Sequence, residues 1–145
     1  MIHRMDVDRN GLEVLGREEC LRLLAEATVG RVALSHRALP MVLPVNFRLD
    51  GERILVGTGT GSKLDAAISD AVVAFEVDDI EPAARSGWSV VVTGMARVLD
   101  DPAEVARLQD ELPDRWAPRG GGNVISISTE LMSGRRIPPG APEPS

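Results

Sequence analysis

The 145-residue sequence has few of the residues that most often carry side-chain chemistry: one cysteine, two histidines and no tyrosine. A lone cysteine, Cys20, excludes an internal disulfide framework and a cysteine-rich zinc site. The two histidines, His3 and His36, lie in peripheral segments with no partner for acid–base work. We therefore expect no metal site, and no side-chain acid or base stands out.

Long apolar runs are also missing. No stretch approaches the roughly 20 apolar residues of a membrane helix, and the N-terminus lacks the apolar core of a signal peptide. We therefore expect a cytoplasmic protein without membrane contact. The net charge of −6 argues against a nucleic-acid partner, because phosphate binding needs a basic surface.

Lysine is almost absent, since 15 of the 16 basic residues are arginine and Lys63 is the only lysine. Such a bias usually reflects the coding composition of a genome. A single lysine retained despite this bias suggests that its amine has a chemical role.

The hydrophobic pattern predicts six strands and two or three helices. A helix over 17–27 places Cys20 on its buried side, which favours a core role over a nucleophile. A second helix begins at Asp101, which can cap it, and Glu104 can reach back to that cap. The predicted strands cover 29–35, 41–49, 53–58, 71–77, 88–99 and 123–137.

Turn and breaker residues complete the pattern. Asp50 and Gly51 form a two-residue hairpin signal, and Gly94 inside a long strand is typical of a bend or bulge. We expect a loose arm over 1–15, one domain over 16–137 and a disordered proline-rich tail over 138–145. The predicted fold class is α+β, built on a closed or nearly closed barrel.

The glycine-rich segment 57–63 is the strongest candidate for chemistry. Its glycines let backbone N–H groups approach an anion, a helix N-terminus follows, and Lys63 adds a full charge. Neither the P-loop nor the dinucleotide fingerprint fits, because Ser62 precedes Lys63 and the glycines alternate. The alternative is a helix-capping loop in which Ser62 is only the N-cap.

Residues 41–47, 54–58, 61–64 and 86–96 together resemble the FMN-binding split-barrel proteins related to pyridoxamine 5′-phosphate oxidase. The resemblance runs in order from about residue 17 to residue 137. It implies a six-stranded antiparallel split β-barrel with flanking helices. It also implies a homodimer that holds the cofactor in a groove between the subunits.

The same resemblance implies a set of cofactor-binding residues. Ser62 and Lys63 match the phosphate-binding pair, with Thr58 and Thr60 beside them. The strand that runs along the isoalloxazine ring matches Pro44, Val45, Asn46 and Phe47. Trp88 matches a residue that approaches the site, often from the partner subunit. The weaker candidates for anion contacts are arginines: Arg31, Arg85, Arg135 and Arg136.

Each of these residues also has a structural explanation that the sequence leaves open. Phe47 can be core, Asn46 can satisfy a backbone group, and Trp88 can seal the dimer. For the arginines, ordinary surface solvation explains the sequence as well as an anion contact does.

The resemblance implies a flavoprotein oxidoreductase that transfers hydride between FMN and a small-molecule substrate. It is not expected to be a true pyridoxamine phosphate oxidase. That enzyme carries an arginine-x-histidine element near its C-terminus, whereas residues 133–138 here read Ser-Gly-Arg-Arg-Ile-Pro.

Two alternatives remain open within this fold. One is a reductase that uses the deazaflavin coenzyme F-420, whose acidic tail would need a basic groove, for which the candidates are Arg31, Arg37 and Arg48. The other is a protein that binds or sequesters flavin without turnover. A haem-binding relative is disfavoured, because the two histidines are poorly placed as ligands.

Overall fold

The computed structural model describes residues 7–58, 64, 67–68, 70–111 and 123–138. Within them the chain forms eight strands and two helices, in the following order: β1 (Glu13–Leu15), α1 (Arg17–Glu26), β2 (Val29–His36), β3 (Leu39–Asp50), β4 (Arg53–Gly57), β5 (Ala71–Glu81), β6 (Ser86–Val98), α2 (Pro102–Glu111), β7 (Val124–Ile127) and β8 (Leu131–Ile137).

Six of the strands close into an antiparallel barrel in the order β6-β5-β2-β3-β4-β7, because β7 also pairs with β6. The other edge of β6 is divided between two partners. Its residues 87–93 pair with β8, and its residues 96–98 pair with β7. The barrel therefore splits along β6. This confirms the α+β split barrel with flanking helices that the sequence predicted.

Gly94 lies where β6 changes partner. The pairing with β5 runs through it without a break, from Ala71 opposite Ala96 to Glu81 opposite Ser86, so β6 has no bulge at its β5 edge. A β-carbon on Gly94 would lie 1.9 Å from the Ser128 carbonyl oxygen. Glycine is required here for this close approach at the split.

Both ends of the chain differ from the sequence prediction. The expected loose arm is ordered from residue 7, because β1 pairs with β8 and the Asp8 carboxylate accepts N–H bonds from Asn10 and Leu12. The predicted last strand over 123–137 is two strands, β7 and β8, which pair with different partners. Residues 1–6 and 139–145, most of the expected tail among them, lie outside the described residues.

Two local predictions are shifted. Asp50 pairs with Arg53, so the hairpin turn consists of Gly51 and Glu52. The Asp101 carboxylate accepts the Ala103 N–H at 3.0 Å, as expected of a cap. Glu104 accepts a bond from Arg53 of the hairpin at 2.6 Å instead of returning to the cap.

The core fills the barrel and one of its ends. The Phe47 and Phe75 rings meet edge to face with centroids 4.8 Å apart. Helix α1 adds Cys20, Leu23 and Leu24, all buried. Burial raises the pKa of the Cys20 thiol, which agrees with the predicted core role. No helix of the described residues is long and apolar enough to cross a membrane.

Candidate functional site

Strand β3 leaves part of one edge open. It pairs with β2 over residues 39–46 but with β4 only over residues 47–50. The Phe47 N–H donates to the Thr28 carbonyl at 3.0 Å, and backbone groups alternate between the two edges of a strand. The backbone groups of Val42, Pro44 and Asn46 therefore point to the edge that has no strand partner in the described part of the chain.

Two prolines limit backbone hydrogen bonding at this open edge of β3. Pro40 and Pro44 lie opposite Ser35 and Arg31 of β2 at positions whose backbone faces the open edge. Lacking an N–H, they discourage pairing with another strand. Asn46 keeps both its N–H and its carbonyl at this edge, so the backbone can bind a planar ligand that carries donors and acceptors.

Thr58 lies where the glycine-rich segment leaves β4. Its N–H donates to the Asn123 carbonyl at 2.9 Å, and the Asn123 N–H lies 3.3 Å from its hydroxyl oxygen. The side chain is only 4% exposed. Thr58 thus fixes the start of the glycine-rich segment to the residue that precedes β7. Sequence reasoning missed Asn123, because nothing local links residues 65 positions apart. Thr60, Ser62 and Lys63 lie outside the described residues.

The four predicted β3 residues divide between two faces. Val45 and Phe47 point into the barrel, whereas Pro44 and Asn46 point outward and are exposed. Phe47 is 2% exposed and packs on Phe75, so its side chain belongs to the core. A ligand at the open edge would therefore meet backbone groups of these residues and not a row of four side chains.

Trp88 lies on β6, three strands from β3 in either direction around the barrel. It is half-buried and lines two clefts of about 350 and 380 Å³, which both include Asp79. One chain therefore does not bring Trp88 to the open edge of β3.

Three of the four arginine candidates are held in ion pairs. Arg31 lies 3.2 Å from Glu76 and 3.0 Å from Asp78. Arg135 and Arg136 bond to Asp8 and Glu19, both at 2.9 Å. Arg85, the fourth, lies in the turn between β5 and β6 with a φ of 51°.

The acidic partners of these arginines were not expected from the sequence. Hydrogen bonds from Arg22 and then Arg136 lower the pKa of Glu19 to about 2. These carboxylates hold charges at the surface and do not resemble a catalytic dyad. The described residues contain no cluster of three side chains suited to a metal ion.

The sheet has an apolar outer face that spans five strands. Val42, Ala33, Ala74, Thr93 and Leu131 lie opposite one another in one row from β3 to β8. Val42 and Leu131 at the two ends of this row are exposed, as are Val72 and Val91 beside it. The other members are half-buried. We call the whole set the outer face: Ala33, Val42, Val72, Ala74, Val91, Thr93, Met95 and Leu131.

Known proteins share this sequence pattern and this architecture. The family model for pyridoxamine 5′-phosphate oxidase matches residues 16–136. An uncharacterized protein of Mycobacterium tuberculosis is 41% identical over 128 residues, which cover 85% of this chain and 84% of that protein.

The similar solved structures include two flavin-binding proteins. One is an FAD-binding protein of Mycobacterium smegmatis, with a TM-score of 0.72, 30% identity and coverage of 86% of this chain and 96% of that one. The other is an FAD-binding protein of Mesorhizobium loti, with a TM-score of 0.71, 25% identity and coverage of 88% and 99%. These matches confirm the resemblance found in the sequence: the chain belongs to the pyridoxamine 5′-phosphate oxidase family.

Proposed function

We propose that this protein is a flavin-dependent oxidoreductase that passes hydride between the cofactor and a small molecule, with the flavin bound between two copies of the chain. The observation that carries the proposal is the open edge of β3 beside the start of the glycine-rich segment. The FAD-binding relatives of the same fold support a flavin as the ligand.

The residues of this chain fit such a cofactor in two places. Lys63, Ser62 and Thr60 supply charge and hydroxyl groups for the phosphate, and Thr58 anchors the segment that carries them. The backbone of residues 44–46 supplies a carbonyl at Pro44 and both groups at Asn46 for the polar edge of the ring.

When bound, the flavin supplies the hydride chemistry. The chain's part is to position the ring, to stabilise charge on it and to control access of water. The sequence has no tyrosine, and burial raises the pKa of its one cysteine. Protons therefore come from solvent or from the cofactor, so no single side-chain replacement should abolish turnover while cofactor binding persists.

A second copy of the chain completes the proposed site. The outer face begins at Val42, on the strand whose edge is open, and continues across β2, β5 and β6. A large exposed apolar face on a small protein marks an interface. Covering it with a second copy in a two-fold arrangement closes the groove beside β3. It also gives Trp88, remote within one chain, a route to the site of the other copy.

The identity of the flavin is the finer part of the proposal. The sequence favoured FMN, and the similar structures are described as FAD-binding proteins. The F-420 alternative needs one basic groove from Arg31, Arg37 and Arg48. Arg37 lies just before the start of β3 and Arg48 lies near the end of this strand, roughly 30 Å away. Arg31 is already paired with carboxylates. We therefore propose a flavin over a deazaflavin.

Pyridoxamine phosphate oxidation itself is not proposed. Residues 133–138 lack the expected histidine, and Arg135 and Arg136 are held by Asp8 and Glu19. They are therefore occupied where a substrate phosphate would need a free cation.

The single lysine allows a direct test. An amine-reactive reagent can modify only Lys63 and the N-terminal amine. We expect added FMN or FAD to slow modification of Lys63, read by peptide mass spectrometry, and to leave the N-terminal amine unaffected. Mass spectrometry of cofactor released by heat from the purified protein then identifies FMN, FAD or a glutamylated deazaflavin.

Matched variants measure how much Lys63 contributes to flavin affinity. Lys63→Ala should weaken flavin binding about 10- to 100-fold, because a charge-assisted bond to phosphate is lost. Arg107→Ala removes one charge from an exposed position on α2 and should leave the affinity unchanged. Equal affinities for Lys63→Ala and wild type would refute the phosphate assignment. Reduced flavin that no quinone, nitro compound or enone reoxidises would favour the sequestering alternative.

A further inference from the structure

One charged cluster interrupts the apolar outer face. Arg31 of β2 lies directly opposite Glu76 of β5, and its NH1 donates to Glu76 at 3.2 Å and to Asp78 at 3.0 Å. Pro44 on β3 and Val91 on β6 flank it in the same row. One positive and two negative charges leave one uncompensated negative charge on this part of the face.

In the described part of the chain, the strands that neighbour Glu76 do not supply a second cation. Strand β2 presents Arg31, and β5 itself presents Asp78. Strand β6 presents Val91 and Ser89 opposite the two carboxylates. The next charge, Arg135 on β8, is bonded to Asp8. Burial, followed by the neighbouring Asp78 carboxylate, already raises the pKa of Glu76 in a single chain, against a smaller opposing effect of Arg31.

We infer that the Arg31–Glu76–Asp78 cluster lies inside the interface between two copies and couples their association to proton uptake, with Glu76 taking up one proton per chain. This inference rests on the proposed homodimer. A two-fold pair of clusters brings four carboxylates and two guanidinium groups into a region with little water. Burying the excess negative charge is costly, and protonation of one carboxyl per chain removes it.

The sign of the effect follows from linkage. If the pKa of Glu76 is higher in the dimer than in the free chain, association takes up protons. The added stability of the dimer is then fully present below the pKa of the free chain. It is lost as the pH rises through the pKa of the dimer. The dimer should therefore tighten as the pH falls from neutral towards 5.

Sedimentation equilibrium of the full chain at pH 7.5 and 5.5 tests this. We expect the dissociation constant of the wild type to be at least about tenfold lower at pH 5.5, since up to two protons are bound per dimer. Glu76→Gln should dimerise at pH 7.5 as tightly as the wild type at pH 5.5, with no pH dependence. Glu52→Gln, on an exposed carboxylate in the turn between β3 and β4, should behave as the wild type.

A second measurement does not depend on a variant. Calorimetric dilution of the wild-type dimer, in two buffers of different ionisation enthalpy, should show proton release on dissociation. A stable dimer with no pH dependence, or a Glu76→Gln protein that keeps the wild-type dependence, would overturn the inference and leave the proposed homodimer standing. A wild type that is monomeric at both pH values would overturn both.

Discussion

At the scale of single residues, substitution of Thr58 tests whether its hydroxyl supports the site or contacts the ligand. It lies in a buried, reciprocal contact with the Asn123 backbone, where the glycine-rich segment leaves the barrel. We expect Thr58→Val to lower the free energy of unfolding of the flavin-free protein by about 1–2 kcal/mol, because the Asn123 backbone groups lose a buried partner. Urea denaturation measures this change.

Thr58→Ser is the matched control, since it keeps the hydroxyl and should stay close to the wild type. If Thr58→Val weakened flavin binding without any effect on the flavin-free protein, the hydroxyl would be a ligand contact and not an anchor.

At the scale of elements, one ion-pair network attaches α1 to the sheet. Glu19 of α1 accepts bonds from Arg22 at 3.0 Å and from Arg136 of β8 at 2.9 Å, and these bonds lower its pKa to about 2. A depressed pKa in the folded state stabilises the fold above the unfolded value, near 4.5. That contribution is lost as the pH falls towards 2.

The wild type should therefore lose more stability between pH 5 and pH 2.5 than Glu19→Gln does. Urea denaturation at the two pH values measures the difference. Glu18→Gln, a neighbouring change with no ion pair to lose in the described structure, should follow the wild type. Equal losses for wild type and Glu19→Gln would show that this network contributes nothing to acid sensitivity.

At the scale of the whole molecule, the outer face predicts the assembly. Leu131 and Leu39 are both 67% exposed. Leu131 belongs to the outer face. Leu39 lies at the tip of the β2–β3 hairpin, on the side of β3 opposite to Val42. Leu131→Glu places a charge in the proposed interface and should yield a monomer of 15.5 kDa, with weakened flavin binding. Leu39→Glu should keep twice that mass.

Light scattering after gel filtration gives both masses. Leu131 is too exposed to contribute much to the core, so the Leu131→Glu monomer should remain folded. Leu39→Glu should unfold thermally as the wild-type dimer does, because it keeps the interface. A Leu131→Glu protein that remained dimeric and kept its flavin would place the interface elsewhere.

Much of the architecture could be predicted from local sequence. The α1 stripe, the Asp101 cap and the strand pattern of β2 each depend on neighbours within a few positions, and each appears in the structure close to where it was expected. The predictions failed where a distant partner decides. The sequence could not show that Gly94 is needed for the close approach of Ser128, and β1 is a strand only because β8 lies beside it.

The candidate site shows the same division. Sequence spacing alone singled out the glycine-rich segment and its only lysine, and the family resemblance added the strand that carries Pro44 and Asn46. The sequence could not show that Phe47 faces inward and Asn46 outward, nor that Arg31 is held by Glu76. Those facts depend on which edge and which face of a strand are covered.

The sequence by itself determined most of the elements and the family, and it singled out the segment proposed to bind phosphate, because periodicity, turn residues and motif order are local properties of the chain. Only the tertiary structure decided which edge of β3 is open, where β6 splits the barrel and which apolar residues form the outer face. Each of these depends on pairing between strands far apart in sequence, and the partner of a strand edge is a property of the closed sheet as a whole.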